Sequence, residues 1–148
     1  MPVYQVLYDL ALAVEEHTRY VGPDFRWLRN QMLRSSESVC ANLTEGFYSQ
    51  YSTEYLQSLF RCRREGRETM THLRYGRDAE VVRRQTAEDL LCGYEEGMRQ
   101  LSLLIASVER KLQLKGKGRP GSYKVKEETG EYEFEEADSC SEPLTINH

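Results

Sequence analysis

Residues 90–112 read LLCGYEEGMRQLSLLIASVERKL. Within this stretch Leu91, Tyr94, Met98, Leu101, Ile105, Val108 and Leu112 recur at gaps of three and four. That spacing sets the side chains in one stripe along a helix of roughly six turns. A stripe so long would face water unless other helices covered it, so the stretch predicts an all-α fold and a fourth helix ending near Leu114.

Three partners are legible upstream. Residues 53–75 place Tyr55, Leu59, Cys62, Gly66, Thr69 or Met70, and Leu73 on one face, with Ser52 as the cap. Gly66 in mid-helix costs roughly 1 kcal/mol relative to Ala, a cost explained if another backbone packs there. Residues 25–45 align Phe25, Leu28, Met32, Val39 and Leu43 around the small Ser35 and Ser36, which would admit a close neighbour. Asp24 is expected to cap this helix and Gly46 to end it in the left-handed conformation. Residues 2–20 carry Val3, Val6, Leu7, Leu10 and Val14 on a stripe that Tyr4, Tyr8 and Leu12 widen toward a second neighbour. Pro2 suits the first turn. Residues 76–85 form the last connection, and Thr86 is expected to cap the fourth helix. Four helices with short connections specify an antiparallel up-down-up-down four-helix bundle.

Residues 1–114 are therefore read as the bundle, and residues 115–148 as a Gly/Lys linker with an acidic tail. The net charge of −4 hides an asymmetry. Residues 1–119 hold 18 Lys+Arg against 16 Asp+Glu, whereas residues 120–148 hold 2 against 8. Tyr123 and Val125, then Tyr132 and Phe134, alternate with polar residues as a hairpin would, but the acidity favours a disordered tail. No apolar run approaches the ~20 residues of a membrane span. The N-terminus lacks a basic segment ahead of an apolar core, so no signal peptide is expected and a cytoplasmic location is. Cys40, Cys62, Cys92 and Cys140 form no C-x-x-C pair; three lie at apolar or near-apolar helical positions, and they read as reduced thiols acting as small core residues, with no metal or cofactor expected.

Nothing in the chain demands an enzyme: no phosphate loop, G-x-S-x-G elbow or H-E-x-x-H run occurs. Glu68 and His72, spaced i, i+4, lack the companions a di-metal bundle needs. The salient cluster is basic. Arg61, Arg63, Arg64 and Arg67, with Arg74 and Arg77 beyond, form a candidate nucleic-acid surface, because Arg presents a planar fork of donors to phosphate. The competing reading is a solvated face balanced by Glu65 and Glu68. Phe47, Tyr48 and Tyr51 follow Gly46 and could stack on bases or pack in an interface.

Ser38-Val39-Cys40-Ala41-Asn42-Leu43-Thr44-Glu45-Gly46-Phe47 resembles the S-[IV]-P-A-N-[IL]-A-E-G-[FY] signature of the 23S ribosomal RNA intervening-sequence proteins. Arg64-Glu65-Gly66-Arg67-Glu68-Thr69, followed by Leu73, is similar to the K-E-A-R-E-T-x-x-x-L run of one branch of that family. Cys40, Thr44 and Gly66 depart from the usual Pro, Ala and Ala. The resemblance runs from Val3 to Leu112 and implies a non-catalytic four-helix bundle assembled as a ring-like homopentamer. It also implies kinship with the accessory variability determinant of diversity-generating retroelements, a basic pentamer that binds a reverse transcriptase and nucleic acid. Asn42, Glu45 and Gly46 carry the signature, as helix-end structure and subunit interface or as a ligand site.

Two function classes stand open. One is an oligomeric interaction protein for RNA, DNA or a nucleic-acid enzyme such as a reverse transcriptase, its acidic tail weakening non-specific binding. The other is a protein-binding scaffold without nucleic-acid contact, in keeping with the overall acidity.

Overall fold

The computed structural model describes residues 2–47 and 52–116, all of them in helices or short connections. The elements are α1 (Pro2–Thr18), a 3-10 turn (Pro23–Phe25), α2 (Arg26–Phe47), α3 (Thr53–Asp78) and α4 (Arg84–Gly116). Each helix packs on its neighbours in the cyclic order α1, α2, α3, α4, closing with α4 on α1, which is the expected bundle. No strand occurs among the described residues. The hairpin and disorder readings of the tail, the bases proposed to stack on Tyr48 and Tyr51, and Cys140 fall outside them.

The seam of α4 is buried as its spacing requires. Leu91, Tyr94, Met98, Leu101, Ile105 and Val108 are buried, and Leu112 packs against the core edge. Leu7, Leu10 and Val14 of α1, Leu28, Met32, Val39 and Leu43 of α2, and Leu59, Cys62 and Leu73 of α3 complete one continuous core. Glycines set the closest approaches. A Cβ on Gly97 would lie 2.8 Å from Leu7 and one on Gly93 2.5 Å from Leu10, so α1 and α4 meet through these notches.

Several local readings need correction. The α1 helix stops at Thr18, two residues early. Its end is held by α2, where Arg29 Nε donates to the Thr18 carbonyl at 3.0 Å. Asp24 caps nothing through its side chain, because Pro23–Phe25 first winds a 3-10 turn behind Gly22. Gly46 lies inside α2 and does not end it in the left-handed region. It is buried because a Cβ there would sit 2.7 Å from the Tyr55 ring and 3.0 Å from Ser58 Cβ. Gly66 admits a side chain instead of a backbone, since the Met98 methyl would be 2.5 Å from an added Cβ. Thr86 lies within α4, which opens at Arg84 with Ala87 N–H donating to the Arg83 carbonyl at 2.9 Å. The left-handed residue that ends α3 is Glu80, at φ 58°, while Val81 and Val82 donate to the Gly76 carbonyl. Tyr8 and Leu12 do not widen the core stripe; they stand 42% and 52% exposed on the outside of α1. Ser52 caps α3 as read, accepting from Tyr55 N–H at 3.1 Å.

Cys40 and Cys62 are buried free thiols. Burial pushes Cys40 up to about 11 and Cys62 to about 12, so both stay protonated and unreactive at neutral pH. Cys92 departs from the all-reduced reading. It is disulfide-bonded and half-buried.

Polar groups in the core are mostly matched. Ser35 donates to the Gln31 carbonyl at 2.9 Å and accepts from Thr69 Oγ1 at 2.8 Å, joining α2 to α3. The Tyr94 hydroxyl is the exception among the described residues. It is fully buried and makes no hydrogen bond of good geometry; the Ser36 hydroxyl, which donates to the Leu33 carbonyl at 3.2 Å, lies close enough only to oppose part of the desolvation. Desolvation accordingly drives its pKa far up. An orphaned buried hydroxyl is a cost that phenylalanine avoids at the same shape. Tyr94→Phe should therefore raise stability by about 1 kcal/mol, read as a later midpoint in urea unfolding; a loss of stability would mean that the hydroxyl has a partner.

Candidate nucleic-acid interface

α3 carries six arginines and four acidic residues. At about 100° per residue, Arg64 points away from the core side defined by Cys62, Gly66, Thr69 and Leu73. Arg61 and Arg67 flank it about 60° to either side. All three are exposed, Arg64 with 73% of its side chain in solvent. They fan over the outer face of α3 from its α2 edge to its α4 edge.

The other three differ. Arg63 is half-buried, with its guanidinium 5.2 Å from the centre of the Phe60 ring. That stacking fixes its position beside Arg67. Arg74 is half-buried further along the helix. Arg77 is engaged by Asp78, its Nε 2.9 Å from the carboxylate, which holds the Asp78 carboxyl below its ordinary range. The candidate surface thus narrows to Arg61, Arg64 and Arg67, with Arg63 at its border.

The acids expected to neutralise this face are drawn off it. Glu65 is buried at the α2–α3 seam, where Arg34 Nη1 approaches to 3.4 Å and Arg64 Nη2 to 3.6 Å. Glu68 accepts from Arg34 Nη2, and His72 Nε2 lies 3.4 Å from the same oxygen. Arg34 therefore gathers both carboxylates toward α2. Arg61 and Arg67 make no ion pair among the described residues. Arg34 was not among the sequence candidates, because nothing local marks a residue on α2 that closes contacts 31 and 34 positions away.

The Glu68 carboxyl feels opposing influences. Partial burial raises its pKa, but hydrogen bonds from His72 and Arg34 outweigh it and leave the pKa lowered. A carboxyl lowered in the folded state stabilises the fold above its unfolded pKa, near 4.3, and that contribution disappears as pH falls through the folded value. Arg34→Ala should remove part of this dependence, the His72 hydrogen bond holding the rest. Urea midpoints measured from pH 6 to pH 2 should fall less steeply for the variant; parallel curves would show that Arg34 does not set the Glu68 titration.

The signature residues do not form one site. Asn42 Nδ2 donates backward to the Ser38 carbonyl at 2.8 Å, within α2, instead of bridging to the next connection. Glu45 is exposed on a groove between α1 and α2, and Gly46 faces Tyr55 on α3. Glu68 and His72 pair with each other, and no group of three or more His, Cys, Asp or Glu gathers among the described residues.

The family profile described as "23S rRNA-intervening sequence protein" matches residues 1–103. The chain belongs to that family. The match covers α1, α2, α3 and most of α4, and so includes the arginine fan and the signature segment. No curated protein matches the sequence. The family's description names a ribosomal RNA context, which accords at a coarse level with nucleic-acid association. No helix among the described residues is long and apolar enough to cross a membrane.

Proposed function

We propose that this intervening-sequence family protein is a non-catalytic, oligomeric interaction protein of the cytoplasm that binds RNA through the outer face of α3. Arg61, Arg64 and Arg67 supply the phosphate contacts, and Arg63 stiffens the edge of the surface by stacking on Phe60. One observation carries the reading: Arg34 draws Glu68 and one oxygen of Glu65 toward α2, so that Arg61 and Arg67 are left without an ion pair among the described residues and Arg64 meets only the other Glu65 oxygen, at 3.6 Å. The charge excess of the bundle is small, so the argument rests on local concentration and not on net charge. Assembly into a homo-oligomer repeats the three-arginine surface, and linked weak sites gain avidity steeply. A reverse transcriptase working on the bound nucleic acid is a compatible partner.

The test is the salt dependence of binding to a labelled RNA stem-loop. Each neutralised phosphate contributes about 0.7–0.9 to the log–log slope, so three contacts give a slope of roughly −2 to −3 and weaken binding about 20- to 40-fold between 50 and 200 mM salt. Absence of salt-sensitive binding would favour a purely protein-binding scaffold.

A further inference from the structure

Further along the α2–α3 seam the surface carries aromatic rings that core packing does not explain. Trp27 of α2 and Tyr75 of α3 are 51% and 50% exposed, yet their rings meet edge to face, with centroids 5.7 Å apart and planes at 67°. Their chain neighbours Leu28 and Gly76 are buried beneath them, a Leu28 methyl lying 3.6 Å from where a Gly76 Cβ would stand. The core at this place closes without the two rings. A single exposed ring is ordinary, whereas two held together form a patch of the kind that marks a contact site.

The pair lies in register with the arginine fan. The outer seam between α2 and α3 is fixed by Arg34 on Glu68. Seven residues make about two turns of helix. Trp27 precedes Arg34 by that interval and Tyr75 follows Glu68 by it, so the rings meet on the same seam. Between them and the ion pair stand Gln31 and Thr71, both exposed and uncharged. On α3, Tyr75 projects within about 20° of Arg64, and it lies roughly 12 Å beyond Arg67 and 16 Å beyond Arg64 along the helix axis. A row of exposed cations thus leads to a pair of exposed rings on one face.

We propose that Trp27 and Tyr75 bind an unpaired base of a single-stranded RNA segment whose phosphates lie on Arg61, Arg64 and Arg67. Cations along the backbone and aromatic rings against the base faces are the two elements by which single strands are held. The ligand that matches both is a polyanion whose flat groups alternate with its charges. In a duplex each base face is covered by the next base, so only an unpaired nucleotide can use the rings. Because the ring planes stand at 67°, one ring stacks on the base while the other closes against its edge. This inference rests on the RNA reading of the α3 face and narrows the ligand to RNA with an unpaired stretch beside the contacted phosphates.

The chain has one tryptophan, so its own fluorescence reports on the site. The full chain is titrated with a labelled blunt stem-loop and with the same stem-loop extended by about six unpaired adenosines, at roughly 50 mM salt. The extended RNA should bind about 10-fold more tightly and should quench Trp27, whereas the blunt RNA should not quench it. Trp27→Ala and Tyr75→Ala should each remove most of that preference and leave binding of the blunt RNA and its salt slope unchanged. Trp27→Phe, which keeps a stacking face, should retain the preference. Circular dichroism checks that the helices are intact, and the wild-type quenching decides without any variant. Equal binding of the two RNAs with unquenched Trp27 would overturn this site and leave the arginine surface standing. Absence of salt-sensitive binding to either RNA would overturn both. A lower mass of Trp27→Ala in light scattering, with its preference for the extended RNA intact, would assign the rings to a contact between proteins and overturn the base site.

Discussion

Arg61→Glu, Arg64→Glu and Arg67→Glu combined should weaken RNA binding by about 100-fold or more at 50 mM salt and flatten its salt dependence, measured by fluorescence polarisation. Each substitution removes a phosphate partner and puts a repelling charge in its place, so the loss exceeds that of three missing contacts. The three side chains are exposed, and surface changes of this sort shift stability by roughly 0.5 kcal/mol or less each. Arg34 would still hold Glu65 and Glu68, so the seam beneath the face should survive. Reversing Arg19, Arg84 and Arg99, which Glu15, Glu88 and Glu96 engage on other helices, supplies the same charge change and should leave affinity within about threefold. Equal losses from both sets would reduce the effect to net charge and remove α3 as the binding surface.

The second large effect is on stability. Gly46→Ala should destabilise the bundle by about 1–3 kcal/mol, the usual cost of forcing an atom into a filled site. The added methyl would meet the Tyr55 ring at 2.7 Å and Ser58 Cβ at 3.0 Å, and Tyr55 is itself buried, which limits how far its ring can retreat. Helix propensity alone would make the substitution stabilising by about 1 kcal/mol, so the sign of the change decides between close approach and an ordinary helical glycine. Urea unfolding gives that sign directly. A more stable variant would mean that α2 and α3 do not meet at this glycine.

Gly46 also illustrates where sequence reading stops. Its position near the end of an apolar series is the usual mark of a left-handed cap, yet α2 continues to Phe47 and the glycine serves an approach to α3. Glu80 shows the converse, taking the left-handed position without any residue preference to announce it. The apolar seam of α4 and the Ser52 cap were legible because periodicity and capping are properties of neighbours in the chain. The arginine cluster was legible as a cluster for the same reason. Its division into exposed and engaged members was not, because Arg34 decides it from another helix, and Phe60 and Asp78 hold Arg63 and Arg77.

The notch at Gly66 has a bearing on how relatives of this chain can vary. The Met98 thioether occupies the volume in which an alanine methyl at position 66 would stand. Sequences with the alanine of the K-E-A-R-E-T run must therefore carry a shorter or differently turned side chain opposite it. Substitutions at these two places are then expected to travel together through the family's descent, each tolerated only in the company of the other.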